Sequence, residues 1–244
     1  MNRIKIDFSY DGRNFYGFQY LKDKRTVQGV LEEALSKILG EEIKITASGR
    51  TDAGVSAFHQ VAHFDTNSSI IATNICFAVN KILPKDVQVF NSKRVSSNFH
   101  ARFSAKSKTY KYYVYESKHI NPIYENFMYR CEKELDIESM REGAKYLIGK
   151  HNFKAFATQD KNVTNHTREV YKIDIEQNNN CYIFTINGNS FLYNMVRNIV
   201  GTILDVGIGK ITPNKIKTIL DSKCRKNAGK LVPSYALCLC DVFY

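Results

Sequence analysis

No run of apolar residues in this 244-residue chain approaches the roughly 20 needed to span a bilayer. The opening stretch, MNRIKIDFSYDG, alternates charge and apolarity and lacks the uninterrupted apolar core of a secretory signal. The six cysteines, Cys76, Cys131, Cys181, Cys224, Cys238 and Cys240, form no CxxC pair. A disulfide framework or zinc site is therefore not expected, and reduced, buried thiols are the default. Reduced thiols point to the cytoplasm, and no segment spanning a membrane is expected.

Chemistry is narrowed in the same way. Neither GxxxxGK[ST] nor GxGxxG occurs, so no phosphate-cradling loop is present, and HExxH is missing too. His59 and His63 share a side of one expected strand but have no third ligand near them, so no metal site is expected. Asp52-Ala53-Gly54 occurs once, whereas aspartic-protease chemistry needs two aspartate motifs sharing a proton.

What remains is a chain with ample means to fold and a marked charge. Hydrophobic residues make up 43% and aromatic residues 12%, enough for a sizeable core. The formal net charge is +11. A surplus of that size suits a polyanionic partner or an anionic membrane surface, although a generally lysine-rich proteome would produce it too.

Periodicity gives the elements. Arg3 to Tyr10 alternates as a strand, and Thr26 opens a helix whose cap glycine is Gly40. Ile43 to Ala47 and Val55 to Phe64 read as strands on either side of a glycine-flanked loop. Ala72 to Leu83 reads as a helix and Val87 to Val95 as a strand. Further on come a tyrosine-rich strand from Tyr110 to Glu116 and a helix from Ile137 to Ile148 capped by Asp136. A hairpin follows, turning at Asn178 to Asn180, then a long helix from Ser190 to Val206. Thr212-Pro213 opens one more helix, and Leu237 to Tyr244 closes the chain as a strand. The expected class is α+β, with two similar halves, each a mainly antiparallel sheet flanked by helices in split-βαβ style. The halves divide as residues 1–100 and 101–244.

The stretch Ala47 to Phe64, ASGRTDAGVSAFHQVAHF, concentrates the chemistry. Gly49 and Gly54 permit tight turns around Arg50-Thr51-Asp52. Arg50, two residues from Asp52, is placed to hold its carboxylate ionised in a bidentate pair. An aspartate so held can be a nucleophile, a general base or half of an ion pair that merely secures the loop. Lys106, Lys108 and Lys111 alternate with Tyr110, Tyr112 and Tyr113, a mixture of phosphate contacts and stacking rings, or equally an amphipathic strand with solvated lysines. Arg197 sits beside the inward positions of its helix, as a buried arginine that wants an anion such as Asp52 or a phosphate, or equally as a surface arginine that snorkels to solvent. Arg102, in FHARFSA, suits a phosphate contact or an interdomain salt bridge.

Together these segments resemble the bacterial tRNA pseudouridine synthase A family: GRTDAGV at Gly49 to Val55, QVAHF at Gln60 to Phe64, FHARFSA at Phe99 to Ala105, NFKAF at Asn152 to Phe156 and MVRNIVGTILDVG at Met195 to Gly207. Order and spacing hold from about residue 3 to the C-terminus. The resemblance implies isomerisation of uridine to pseudouridine at positions 38, 39 and 40 of the tRNA anticodon stem-loop. By the same resemblance Asp52 is the catalytic aspartate, Arg50 and Arg197 its companions, and Tyr110 a ring stacked on the target base. It implies a homodimer working without cofactor or metal, with the active cleft between the two halves. Four positions depart from the family pattern: Phe18 stands for tryptophan, Ser56 for histidine, and His59 and Ala236 for glycine. A catalytically silent RNA-binding module with aromatic strands is the reading from another class.

Overall fold

The structure, a computed structural model, describes residues 1–160 and 163–244. In chain order the regular elements are β1 (Asn2–Tyr10), α1 (Val27–Leu39), β2 (Thr46–Ala47), β3 (Ser56–Thr66), α2 (Ile75–Asn80) and β4 (Val87–Arg94). Then follow β5 (Ser107–Glu116), β6 (Tyr129–Cys131), α3 (Ile137–Lys145), β7 (Gly149–Asn152), β8 (Thr167–Asn178) and β9 (Cys181–Gly188). The last three are α4 (Met195–Gly207), α5 (Lys215–Ser222) and β10 (Leu237–Phe243). Among the described residues no helix is long and apolar enough to cross a membrane.

The chain divides into two compact units, Met1–Lys106 with Cys238–Tyr244, and Ser107–Leu237. The closing strand, grouped by sequence order with residues 101–244, thus belongs almost wholly to the first unit, and the boundary falls after residue 106. In the first unit the strands run β4-β1-β3-β10, with β2 added to β3. β1 is antiparallel to β3 and β4, and β10 is parallel to β3. Ile4, Ile6, Phe8 and Tyr10 are all buried, the period-2 signature of a strand with one face on the core. α1 buries Val27, Leu31, Ala34, Leu35 and Leu39 at helical spacing. Its ends are those read from sequence: Thr26 accepts the Gly29 N–H, and Gly40 takes the left-handed φ of 71°.

The second unit is an antiparallel run β5-β9-β8-β7 with β6 parallel to the end of β5. α3 packs against α4 and β8. Asp136 Oδ1 caps α3 through the Glu138 and Ser139 amides. The α+β class and the predominance of antiparallel pairing are as expected.

Several boundaries differ from the periodicity, each for a local reason. Ile43 and Ile45 are not in a strand, because their amides are taken by Ser36 Oγ and Glu32 Oε1 of α1. α2 is preceded by a 3-10 turn and stops at Asn80, whose side-chain amide is bonded on both sides to the backbone of Val89. α3 ends at Lys145, short of the expected Ile148, and Gly149 begins β7. α4 begins at Met195 and not near Ser190, since Asn194 sits at a left-handed φ of 61° that no helix continues.

Candidate active site

The Asp52 loop is irregular, so its backbone must find partners outside secondary structure. Those partners are buried polar side chains and the backbone of neighbouring segments. Ser48 donates its amide to Val61 O at 2.7 Å and its hydroxyl to Gln60 Oε1 at 2.6 Å. Gln60, fully buried, passes its own amide to Gly49 O at 3.1 Å. Thr51 Oγ1 and the Tyr10 hydroxyl share a buried bond of 2.7 Å, and Phe18 N–H reaches Thr51 O at 3.0 Å. Burial drives the Tyr10 hydroxyl to a pKa far above the ordinary range, more than its bond to Thr51 lowers it, so it remains neutral.

Two glycines make the close approaches. Gly17, at a φ of 91°, lies against the loop so tightly that a Cβ would come within 3.0 Å of Thr51 O. Gly54, at a φ of 83°, completes a turn closed by Val55 N–H on Asp52 O at 3.1 Å. The backbone on both sides of Asp52 is thereby fixed, and its side chain is half-buried. Arg50 behaves otherwise. Its side chain is exposed and makes no ion pair among the described residues, so the bidentate pairing with Asp52 expected from their spacing does not form.

In the second unit the candidate groups ride on regular elements. Tyr110 lies on β5, only 8% exposed, with the Phe191 ring edge-on at 5.2 Å. Of its neighbours, Tyr112 and Tyr115 are wholly buried and hydrogen-bond to Pro233 O and Glu125 Oε2, which removes both from the set of rings available for stacking. Arg197 is half-buried in the first turn of α4, with Nε on Val232 O at 2.7 Å and Nη1 on Asn194 Oδ1 at 2.8 Å.

The rest of the MVRNIVGT segment builds the ground under Arg197. Asn198, fully buried, donates to Phe156 O and accepts from Arg225. Thr202 Oγ1 accepts the Gly229 amide at 2.9 Å. A Cβ on Gly201 would fall 1.9 Å from Lys230 O, so only glycine lets the segment carrying Val232 lie on this helix. Arg102 is exposed in the first unit, its guanidinium 5.8 Å from the centre of the Phe103 ring.

His59 and His63 do not converge on a metal. Both ring nitrogens of His59 meet carboxylates, Asp7 at 2.9 Å and Asp241 at 2.7 Å, while His63 Nδ1 accepts the Ala101 amide. Among the described residues no group of three or more His, Cys, Asp or Glu is placed to hold a metal ion.

A profile of the family described as tRNA pseudouridine synthase matches residues 8–104 and 144–244. The chain belongs to that family. It is 42% identical over its full length to the full-length tRNA pseudouridine synthase A of Caldicellulosiruptor saccharolyticus. It is 43% identical to that of Thermoanaerobacter sp. strain X514, again covering all of both chains. The Bacillus subtilis tRNA pseudouridine synthase A is also 43% identical, over 99% of each chain.

The four departures from the pattern of the tRNA pseudouridine synthase family all have structural partners. Phe18 is buried beneath the loop against Phe8 and Tyr10. Ser56 Oγ accepts the Gly12 amide at 3.0 Å, and Ala236 O accepts that of Tyr113. His59 stands at a β-bulge, where one residue of β1 faces both Phe58 and His59 of β3. The residues that sequence reasoning missed are Tyr10, Thr51, Ser48 and Gln60. The sequence signal for Tyr10 and Gln60 is polar character inside apolar strand patterns, a cue for buried hydrogen bonding.

Proposed function

We propose that this chain, a tRNA pseudouridine synthase by family, converts uridine to pseudouridine at positions 38, 39 and 40 of the tRNA anticodon stem-loop, with Asp52 as its essential carboxylate. The observation that carries the reading is a half-buried aspartate on a loop tied at Gly49, Thr51 and Asp52 itself. A carboxylate so positioned is spared the reorganisation that a mobile one would suffer in the transition state.

The reaction breaks the bond from N1 to the anomeric carbon and forms one from C5 to that carbon. C5 loses a proton and N1 gains one, so atoms balance with no oxidant or cosubstrate. Asp52 acts in its ionised form. Tyr110 supplies a ring against the target base, and its hydroxyl is the group for the C5 proton. Arg197 and Arg50 are cations that bind substrate, and Arg102 binds the RNA backbone. A paired or stacked uridine must be turned out before any of this can occur. The surplus of positive charge, +11, supplies backbone attraction that falls with added salt. The working form in this reading is a cytoplasmic homodimer that uses neither cofactor nor metal.

The test is Asp52→Asn assayed on a synthetic anticodon arm. A folded variant that binds RNA and makes no pseudouridine is expected. Turnover retained in that variant would remove Asp52 from the chemistry, and a wild-type protein that binds without turnover would favour the silent RNA-binding module.

A further inference from the structure

The FHARFSA segment does more than place one arginine. Phe103 is 77% exposed, more than most other large apolar side chains of the chain. Leaving a phenylalanine in water forgoes about 1.5–3 kcal/mol that its burial would supply. A floppy loop would let such a ring fold back, but this loop is held from many directions.

Arg3 Nη1 donates to Ser97 O and Phe99 O while its other nitrogens clasp Asp65. The Tyr244 hydroxyl donates to Ala101 O at 2.7 Å, and the Ala101 amide is taken by His63 Nδ1 at 3.1 Å. Ser104 closes the turn on His100, with its amide on His100 O and its hydroxyl oxygen on the His100 amide. His100 Nδ1 in turn accepts the amides of both Arg102 and Phe103. The imidazole then backs the Phe103 ring, centroids 4.3 Å apart and tilted by 31°. Ala101 is wholly buried; the two residues after it are exposed.

We infer that Phe103 is an RNA-positioning residue: a fixed ring, backed by His100 and flanked by the Arg102 guanidinium, on which an unpaired base of the substrate stacks. The inference rests on the tRNA reading above and names a residue that reading does not use. A rigid aromatic beside a cation has the two properties that single-stranded nucleic acid rewards, a π-face for the base and a charge for the adjoining phosphate. Because the backbone is already immobilised, little ordering entropy opposes binding.

The experiment compares wild type, Phe103→Ala and Phe103→Trp by anisotropy of a fluorescently labelled anticodon arm and by turnover. Phe103→Ala is expected to weaken binding and raise KM by roughly tenfold, the size of one base-stacking contact. Its kcat and melting temperature stay at wild-type values, and Phe103→Trp restores KM. An unchanged Kd and KM in Phe103→Ala overturn the inference while leaving the catalytic reading intact. A change of oligomeric state that accounts for the whole effect overturns it too, because the ring would then be serving a second copy of the chain. If wild type binds the arm but makes no pseudouridine, the catalytic reading fails and the anisotropy arm still decides the role of Phe103. If wild type does not bind at all, both fail.

Discussion

The two units hold their candidate groups by opposite means. In the first, Asp52 stands on an irregular loop, and buried side chains from elsewhere, Tyr10 and Gln60 above all, supply what the loop cannot supply itself. In the second, Tyr110 and Arg197 stand on a strand and a helix whose backbones are already satisfied. There the surrounding hydrogen bonds serve the side chain, as Val232 and Asn194 do for Arg197. The contrast teaches where support and function coincide. Loosening the loop of the first unit is therefore expected to disturb stability and activity together, whereas in the second the two should be separable.

Three substitutions break or sharpen this contrast. The largest effect is expected from Asp52→Asn, with kcat down by on the order of 10³ or more, about 4 kcal/mol of barrier, and the melting temperature nearly unchanged. Chromatographic separation of the nucleosides from the digested RNA and a thermal scan check both halves of the statement. Arg197→Ala comes next: a loss of roughly 100-fold in turnover with a stability cost of only about 1 kcal/mol, since the helix keeps its own bonds. A steep fall in melting temperature with turnover intact would make Arg197 a scaffold residue and erase the contrast.

Thr51→Val should lower both readouts at once. It strands the Tyr10 hydroxyl in the core, costing about 1–3 kcal/mol, and frees the loop beside Asp52. Thr51→Ser, which keeps the hydroxyl, should restore both. Turnover unaffected by a destabilising Thr51→Val would mean that the loop does not need its ties.

The smallest effect is a pH dependence within the first unit. His59 has its pKa raised by its hydrogen bond to Asp7, against the opposing pull of burial. Its contribution is complete below the ordinary imidazole range and is lost as pH rises through the raised folded value. Burial pushes the Asp7 carboxyl up, but the bonds from His59, Lys5 and Asn91 outweigh it and leave it below the usual carboxylate range. That contribution is complete above the ordinary carboxylate range and is lost as pH falls through the lowered value. As pH rises from the ordinary imidazole range through the raised folded value, wild type should lose more melting temperature than His59→Gln. Parallel curves for the two proteins would show the network to be indifferent to His59 protonation.

Much of this architecture is legible in the sequence because its signals are local. Thr26 and Gly40 bracket α1, Asp136 opens α3, and the asparagines after Gln177 turn the β8-β9 hairpin. The Asp52 loop announces itself through Gly49 and Gly54. What escapes is non-local. The Tyr10–Thr51 and Ser48–Gln60 bonds join residues 41 and 12 positions apart, and no periodicity encodes such pairings. The start of α4 escapes for a subtler reason: its apolar spacing runs on through Leu192, but Asn194 adopts a left-handed conformation that halts the helix there.

Asn80 has a consequence for how copies of this protein can meet. β4 is the outermost strand of its sheet, and an outermost strand normally offers its amides and carbonyls to any passing chain. The Asn80 carboxamide occupies both groups of Val89 in the middle of that strand, doing for one residue what a neighbouring strand would do. A strand from another molecule therefore cannot pair with β4 in unbroken register through Val89.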